Sequence, residues 1–179
     1  MPTTLIFMSK KLVIGYGNPL CGDDGVAWHV VEALQGVLPV DSAAAVHQLT
    51  PEWAETISMA DLVIFIDAAV GPISGEIQSF LLSPSPGSRN SHEISAEGVL
   101  AMAVDLFGRC PPAHMVTIAG GSFDLSERLT PPVAAAVPGA VAVILGLIGT
   151  ENETLAPSHS IESRFGGELL RGEDTRLTL

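Results

Sequence analysis

The stretch Leu12-Val13-Ile14-Gly15-Tyr16-Gly17-Asn18-Pro19-Leu20-Cys21-Gly22-Asp23-Asp24-Gly25-Val26 decides the fold class. Leu12 to Ile14 is a short apolar, partly β-branched run. It ends in Gly15, Gly17 and Asn18, the pattern of a buried strand that stops at a tight turn. A helix follows at once, because Val26, Val30, Ala33, Leu34 and Val37 recur at spacings of three and four, and Asp23 and Asp24 suit its N-terminal end. A strand that feeds directly into a helix opens an α/β unit.

Outward from this stretch the alternation continues. A second strand is predicted near Ala45 to Leu49, and Thr50-Pro51 is a fitting N-cap and first-turn pair for a short helix carrying Trp53, Ile57 and Ala60. Leu62 to Ile66 reads as the next strand, closed by Asp67. Glu76 to Leu82 alternates like a strand, and the short connection through Gly71, Pro72 and Gly75 predicts an antiparallel return. A Ser/Pro/Gly loop from Ser83 to Ser91 leads to His92. Ser95 can then cap a helix with Val99, Met102, Ala103 and Leu106 on one face, stopped by Gly108 and Pro111. Met115 to Ala119 is a further strand. Thr130-Pro131 opens a last helix, whose apolar run Val133 to Ile148 is read as buried despite Pro138.

The expected architecture is one α/β domain over residues 11–150, a mixed, mostly parallel twisted sheet with helices on both faces. Residues 1–10 form an N-terminal extension, and residues 151–179 a polar tail, peripheral or partly disordered. The 179 residues, 47% of them hydrophobic, suffice for one sizeable core. Against 20 Asp plus Glu stand 8 Lys plus Arg, a net charge of -12 that repels phosphate backbones and anionic bilayers, so neither nucleic acid nor membrane is an expected partner. The two cysteines, Cys21 and Cys110, lie far apart outside any CxxC spacing, which indicates no disulfide framework and suits a reducing cytoplasm. Lys10 and Lys11 follow the apolar first residues, the reverse of a signal peptide, and Met8 is an alternative start. No stretch reads as the roughly 20 uninterrupted apolar residues of a membrane span.

Open α/β sheets bind ligands outside the carboxyl ends of their strands. There the sequence places Asp23 and Asp24 after the first strand, Asp67 at the end of the third, and His92 before a helix. Each has an ordinary explanation: an aspartate at a helix start is usually a cap, one at a strand end can hold a turn, and a loop histidine needs no reason. Two adjacent aspartates, however, cannot both cap. Two carboxylates with an imidazole also make a three-ligand oxygen and nitrogen set, suited to a borderline divalent ion with open coordination positions.

Other chemistries fit less well. Gly15-Tyr16-Gly17-Asn18-Pro19-Leu20 begins like a dinucleotide fingerprint, but Leu20 stands where the third glycine belongs, and the acidic pair would face a pyrophosphate. The sequence has no HExxH, no GxSxG and no Walker loop. Cys21 beside two carboxylates is poorly placed for a nucleophilic thiolate.

The stretch from Val13 to Val26 resembles the opening motif of the hydrogenase maturation endopeptidases, and the order of elements extends the resemblance over roughly Lys11 to Ile148. The resemblance implies an endopeptidase that removes the C-terminal extension of a nickel-iron hydrogenase large subunit precursor, its partner. It also implies that the nickel is supplied by that substrate, held weakly or not at all by the free protein. The family's metal-contacting and catalytic positions fall on Asp24, Asp67 and His92, with His114 and His47 as alternatives for the histidine. The sequence departs from the family pattern at Ala27-Trp28, where a glycine is common at Ala27, and at His47 to Glu52, where some members carry a glycine-rich turn. A divalent ion can polarise a carbonyl or lower the pKa of bound water to about 7, which supplies chemistry that no serine or cysteine here offers. A nickel-sensing or hydrogenase-assembly module with the same ligands and no turnover is the competing class, and a nucleotide-binding regulator is the third.

Overall fold

The computed structural model describes residues 9–86 and 94–154. In chain order the elements are β1 (Lys11–Tyr16), a single 3-10 turn (Gly22–Gly25), α1 (Val26–Leu34), β2 (Ala43–Val46), α2 (Trp53–Ser58), β3 (Leu62–Val70), β4 (Ile77–Leu82), α3 (Ala96–Phe107), β5 (Ala113–Gly120) and α4 (Pro131–Thr154). The strands form one sheet in the order β2-β1-β3-β5-β4. β2, β1, β3 and β5 run parallel, and β4 runs antiparallel to β5. This is the mixed, mostly parallel α/β sheet expected from the sequence.

Alternation along the strands sends side chains to two cores. Leu12, Ile14, Val63, Phe65 and Met115 pack with α2 and α3, through Ala54, Ile57, Val99, Leu100 and Ala103. Val13, Ile64, Ile66, Val116 and Ile118 pack on the other side with Val26, Val30, Leu34, Val133, Ala140 and Ile144 from α1 and α4. Burial of each large aliphatic or aromatic side chain contributes about 1.5–3 kcal/mol, so the two clusters hold the helices on opposite faces.

Several boundaries differ from the sequence expectation for identifiable reasons. β4 does return antiparallel, but against β5, which inserts between it and β3. β3 continues past Asp67 to Val70 because β5 supplies partners as far as Gly120, so Asp67 lies within the strand. β2 is displaced to Ala43–Val46, leaving Leu49 buried beyond its end. α1 stops at Leu34, with Ala33 exposed and Val37 59% exposed, and Ala27 and Val31 complete its buried face instead. Thr50-Pro51 forms a turn leading into α2, with no side-chain cap on that helix. Ser95 does cap α3, its Oγ accepting from Gly98 N at 3.2 Å, and Gly108 ends the helix at φ 69°. Leu106, expected inside, is 68% exposed.

The largest revision concerns α4. The helix runs unbroken through Pro138 and on to Thr154, past the expected boundary at 150. The stretch Pro131–Thr150, with a mean hydropathy of 2.2, is long and apolar enough to cross a membrane by length and composition. Only 17% of its most apolar window is buried, so it is not the buried helix read from the sequence. Its most exposed positions up to Gly149 are Pro, Ala and Gly, so this face presents no large apolar side chains, while the Val, Leu and Ile residues that raise the hydropathy are buried or half-buried.

Candidate active site

The loop after β1 is shaped by backbone contacts. Gly17 has φ 138°, and a Cβ there would collide with the main-chain carbonyl of Asp24, so only glycine lets the loop fold back on itself. The return brings Asp24 Oδ2 to Asn18 N at 2.6 Å. Trp28, one turn into α1, fixes the same point from the side, its Nε1–H donating to Gly17 O at 2.9 Å. The indole also meets the His47 ring edge-on, with centroids 5.5 Å apart. The departure at Ala27-Trp28 thus has local consequences: Ala27 is fully buried against Gly15, and Trp28 braces the loop.

The two neighbouring aspartates have different fates, and neither caps α1. Asp23 is fully buried. Its carboxylate accepts from Gly121 N (2.7 Å), Ser122 N (3.0 Å), Thr130 N (2.7 Å) and Thr130 Oγ1 (2.8 Å). Burial alone would raise its pKa, but these donors together more than offset that and hold it below the usual carboxylate range. Main-chain bonds Asp23 N to Ser122 O, Gly22 N to Ser126 O and Ser126 N to Leu20 O complete a clamp between this loop and the β5–α4 loop.

Asp24 instead lines an open cleft of about 580 Å³, at the carboxyl ends of β1, β2 and β3. Around it stand Tyr16, Asn18, His47, Asp67, Val70 and Phe123. Asp67 and Tyr16 come together through strand register: Gly15 pairs with Ile66, and the next step sets Tyr16 beside Asp67. The Tyr16 hydroxyl donates to the Asp67 carboxylate. Burial first, then the charge and hydrogen bond of Asp67 and the charge of Glu97 in the first turn of α3, push the phenol far above its usual pKa. Tyr16 is therefore a protonated donor at physiological pH. Thr117 of β5 pairs with Asp67 and Gln78 of β4 pairs with Thr117, so a polar row replaces the apolar core at this end of the sheet.

Of the residues singled out from the sequence, Asp24 and Asp67 share the cleft. His92 lies outside the described residues. Among its alternatives, His47 lines the cleft, whereas His114 pairs with Ile64 and Leu81 near the start of β5, away from it. Among the described residues no three His, Cys, Asp or Glu side chains gather as a metal site, so the described part supplies two carboxylates and no complete three-ligand set. The sequence reading missed Tyr16 and Phe123. Tyr16 was accessible in part, since Leu12, Ile14 and Tyr16 alternate onto one face. Its partner was not, because register is invisible in one chain segment.

No family model and no curated protein matches the chain. Solved structures do match. The hydrogenase maturating endopeptidase HybD from E. coli is 25% identical over 80% of this chain and 93% of its own, with a TM-score of 0.66. A hydrogenase 2 maturation peptidase from a Thaumarchaeota archaeon is 26% identical over 78% and 99%, with a TM-score of 0.59. The nickel-iron hydrogenase maturation protease HybD from Thermococcus kodakarensis has the same fold, at 22% identity over 76% and 98% and a TM-score of 0.59. The resemblance carried by the first loop is thus matched by the fold as a whole.

Proposed function

We propose that this chain, by fold a hydrogenase maturation endopeptidase, removes the C-terminal extension of a nickel-iron hydrogenase large subunit precursor once nickel has been inserted. The observation that supports this best is the convergence of Asp24 and Asp67, from separate strand ends, on one open cleft. Each carboxylate is oriented by the chain itself, Asp24 by Asn18 N and Asp67 by the Tyr16 hydroxyl. Oriented carboxylates facing a cleft favour a cationic centre, and the substrate's own nickel is such a centre. Asp24, Asp67 and His92 act as the metal-contacting set, reading whether the precursor is loaded. The metal arrives with the substrate and is not a resident cofactor of the free protein.

The hydrolysed bond is an amide: water adds to its carbonyl, the C–N bond breaks, and the departing nitrogen takes up a proton. The partner is a protein, in keeping with a charge of -12 that argues against nucleic acid, and the proposed location is the cytoplasm. The test is processing of nickel-loaded and nickel-free precursor, read by the mass of its C-terminus, with wild type and Asp67→Asn. Wild type is expected to cut only the loaded precursor. Asp67→Asn is expected to lose roughly 10–100-fold of that rate, because a charged contact contributes about 1.5–3 kcal/mol, with circular dichroism unchanged. Equal cleavage of the metal-free precursor, or a folded and fully active Asp67→Asn, would overturn the metal-reading role. Loaded precursor that binds without being cut would favour the non-catalytic nickel-sensing or assembly module.

A further inference from the structure

Large apolar side chains stand in solvent around the cleft, on the end of β3 and the loops beside it. Leu20 is 48% exposed, Val70 93%, Ile73 63%, Phe123 42% and Leu125 88%. They are neighbours in space. Ser126 N donates to Leu20 O at 2.9 Å, which sets Leu125 beside Leu20. Val70 pairs with Gly120, whose missing side chain leaves room for the Phe123 ring, and Val70 and Phe123 both form cleft wall. Ile73 continues the strip beyond Val70, in the turn that Glu76 N closes onto Ile73 O at 3.1 Å.

Phe123 and Leu125 lie on the loop clamped by Asp23, and Leu20 lies on the first loop tied to it. A flexible loop can fold exposed leucines away, whereas the clamped loop is held by four hydrogen bonds to the buried Asp23 carboxylate and three main-chain links to the first loop. Rigidly displayed apolar area loses little entropy on being covered, which is the property of a docking surface. Clusters of this kind mark protein contacts more often than isolated exposed leucines do.

We infer that Leu20, Phe123 and Leu125, continued by Val70 and Ile73, form the docking strip for the protein substrate, receiving large apolar side chains of the precursor segment that enters the cleft. The inference rests on the endopeptidase reading and deepens it. The occupant is fixed by continuity and charge. The strip runs directly into a wall shared with Asp24 and Asp67, so its guest carries an electropositive centre flanked by apolar residues. A second copy of this acidic chain would bring carboxylates to carboxylates, and a lipid surface would meet the same charge.

The experiment compares wild type, the double variant Leu20→Ser with Leu125→Ser, Leu125→Met, and Val40→Ser as a control on a 90% exposed residue in the α1–β2 connection. Binding of fluorescently labelled, nickel-loaded precursor is read by anisotropy, and cleavage by single-turnover rate at saturation and by KM. The double variant is expected to weaken Kd and raise KM by about tenfold or more. Its saturating rate and thermal midpoint stay unchanged, Leu125→Met stays within about twofold, and Val40→Ser matches wild type. Unchanged Kd in the double variant, or a loss confined to the saturating rate, would overturn the docking strip. Wild type that binds the precursor but cuts nothing sinks the endopeptidase reading alone, since the anisotropy comparison still decides the strip. Wild type that does not bind the precursor overturns the strip's assigned occupant.

Discussion

Asp23 and Asp24 are adjacent in the chain, and between them they divide the structure into a clamp and a cleft. In the clamp every donor around a buried carboxylate is spent on it, and nothing there is open to a ligand. In the cleft the carboxylates of Asp24 and Asp67 are each steadied by a donor and remain half-buried at an open wall. The same functional group therefore serves opposite ends, and the number of donors facing it decides which. The two regions also depend on each other: the clamp fixes the loops that shape and border the cleft.

The largest effect that sharpens this division is expected at the clamp. Asp23→Ala orphans three main-chain N–H groups and a hydroxyl, and stability should fall by roughly 3–5 kcal/mol in denaturant unfolding. The acid limb carries the same information. Because the folded-state pKa of Asp23 is depressed, its contribution is complete above the unfolded value of about 4 and is lost as pH falls through the folded value. A flatter stability profile below about pH 4 is expected for Asp23→Asn. An Asp23→Ala protein as stable as wild type would break the distinction between clamp and cleft.

A smaller effect, of a different kind, belongs to the cleft. Tyr16→Phe removes only the hydroxyl that orients Asp67. Processing of loaded precursor should drop roughly tenfold in kcat/KM, about 1.4 kcal/mol of transition-state stabilisation, while unfolding shifts by less than about 1 kcal/mol. Loss of stability without loss of activity would place Tyr16 with the clamp. The smallest effect is expected at Trp28→Phe, which deletes the bond to Gly17 O and weakens the brace on the loop, at about 1 kcal/mol by thermal unfolding.

How much could be read in advance varied with the type of signal. The Gly15-to-Gly25 stretch pointed to the cleft because glycine turns and acidic residues after a strand are local features. The long helix α4 was legible as a helix and illegible as to burial. Its hydropathy comes from Val, Ile, Leu and Ala spread along its length, and only packing against β5 and α1 decides that Val133, Ala140 and Ile144 face inward. Which of Asp23 and Asp24 was structural was equally hidden, since the donors to Asp23 come from residues near 121 and 130, about a hundred positions away.

The sequence by itself determined the α/β class, the acidic loop that lines the cleft, the capping of α3 by Ser95 and the return of β4 against the parallel strands, because each is written in neighbouring residues through periodicity, turn chemistry and connection length. Only the tertiary structure decided that β5 lies between β3 and β4, that Tyr16 meets Asp67, that Asp23 is the clamp, and that exposed leucines border the cleft. Those facts depend on strand order and register. Both are set by the summed packing of two cores on opposite faces of the sheet, a quantity that no single segment of the chain contains.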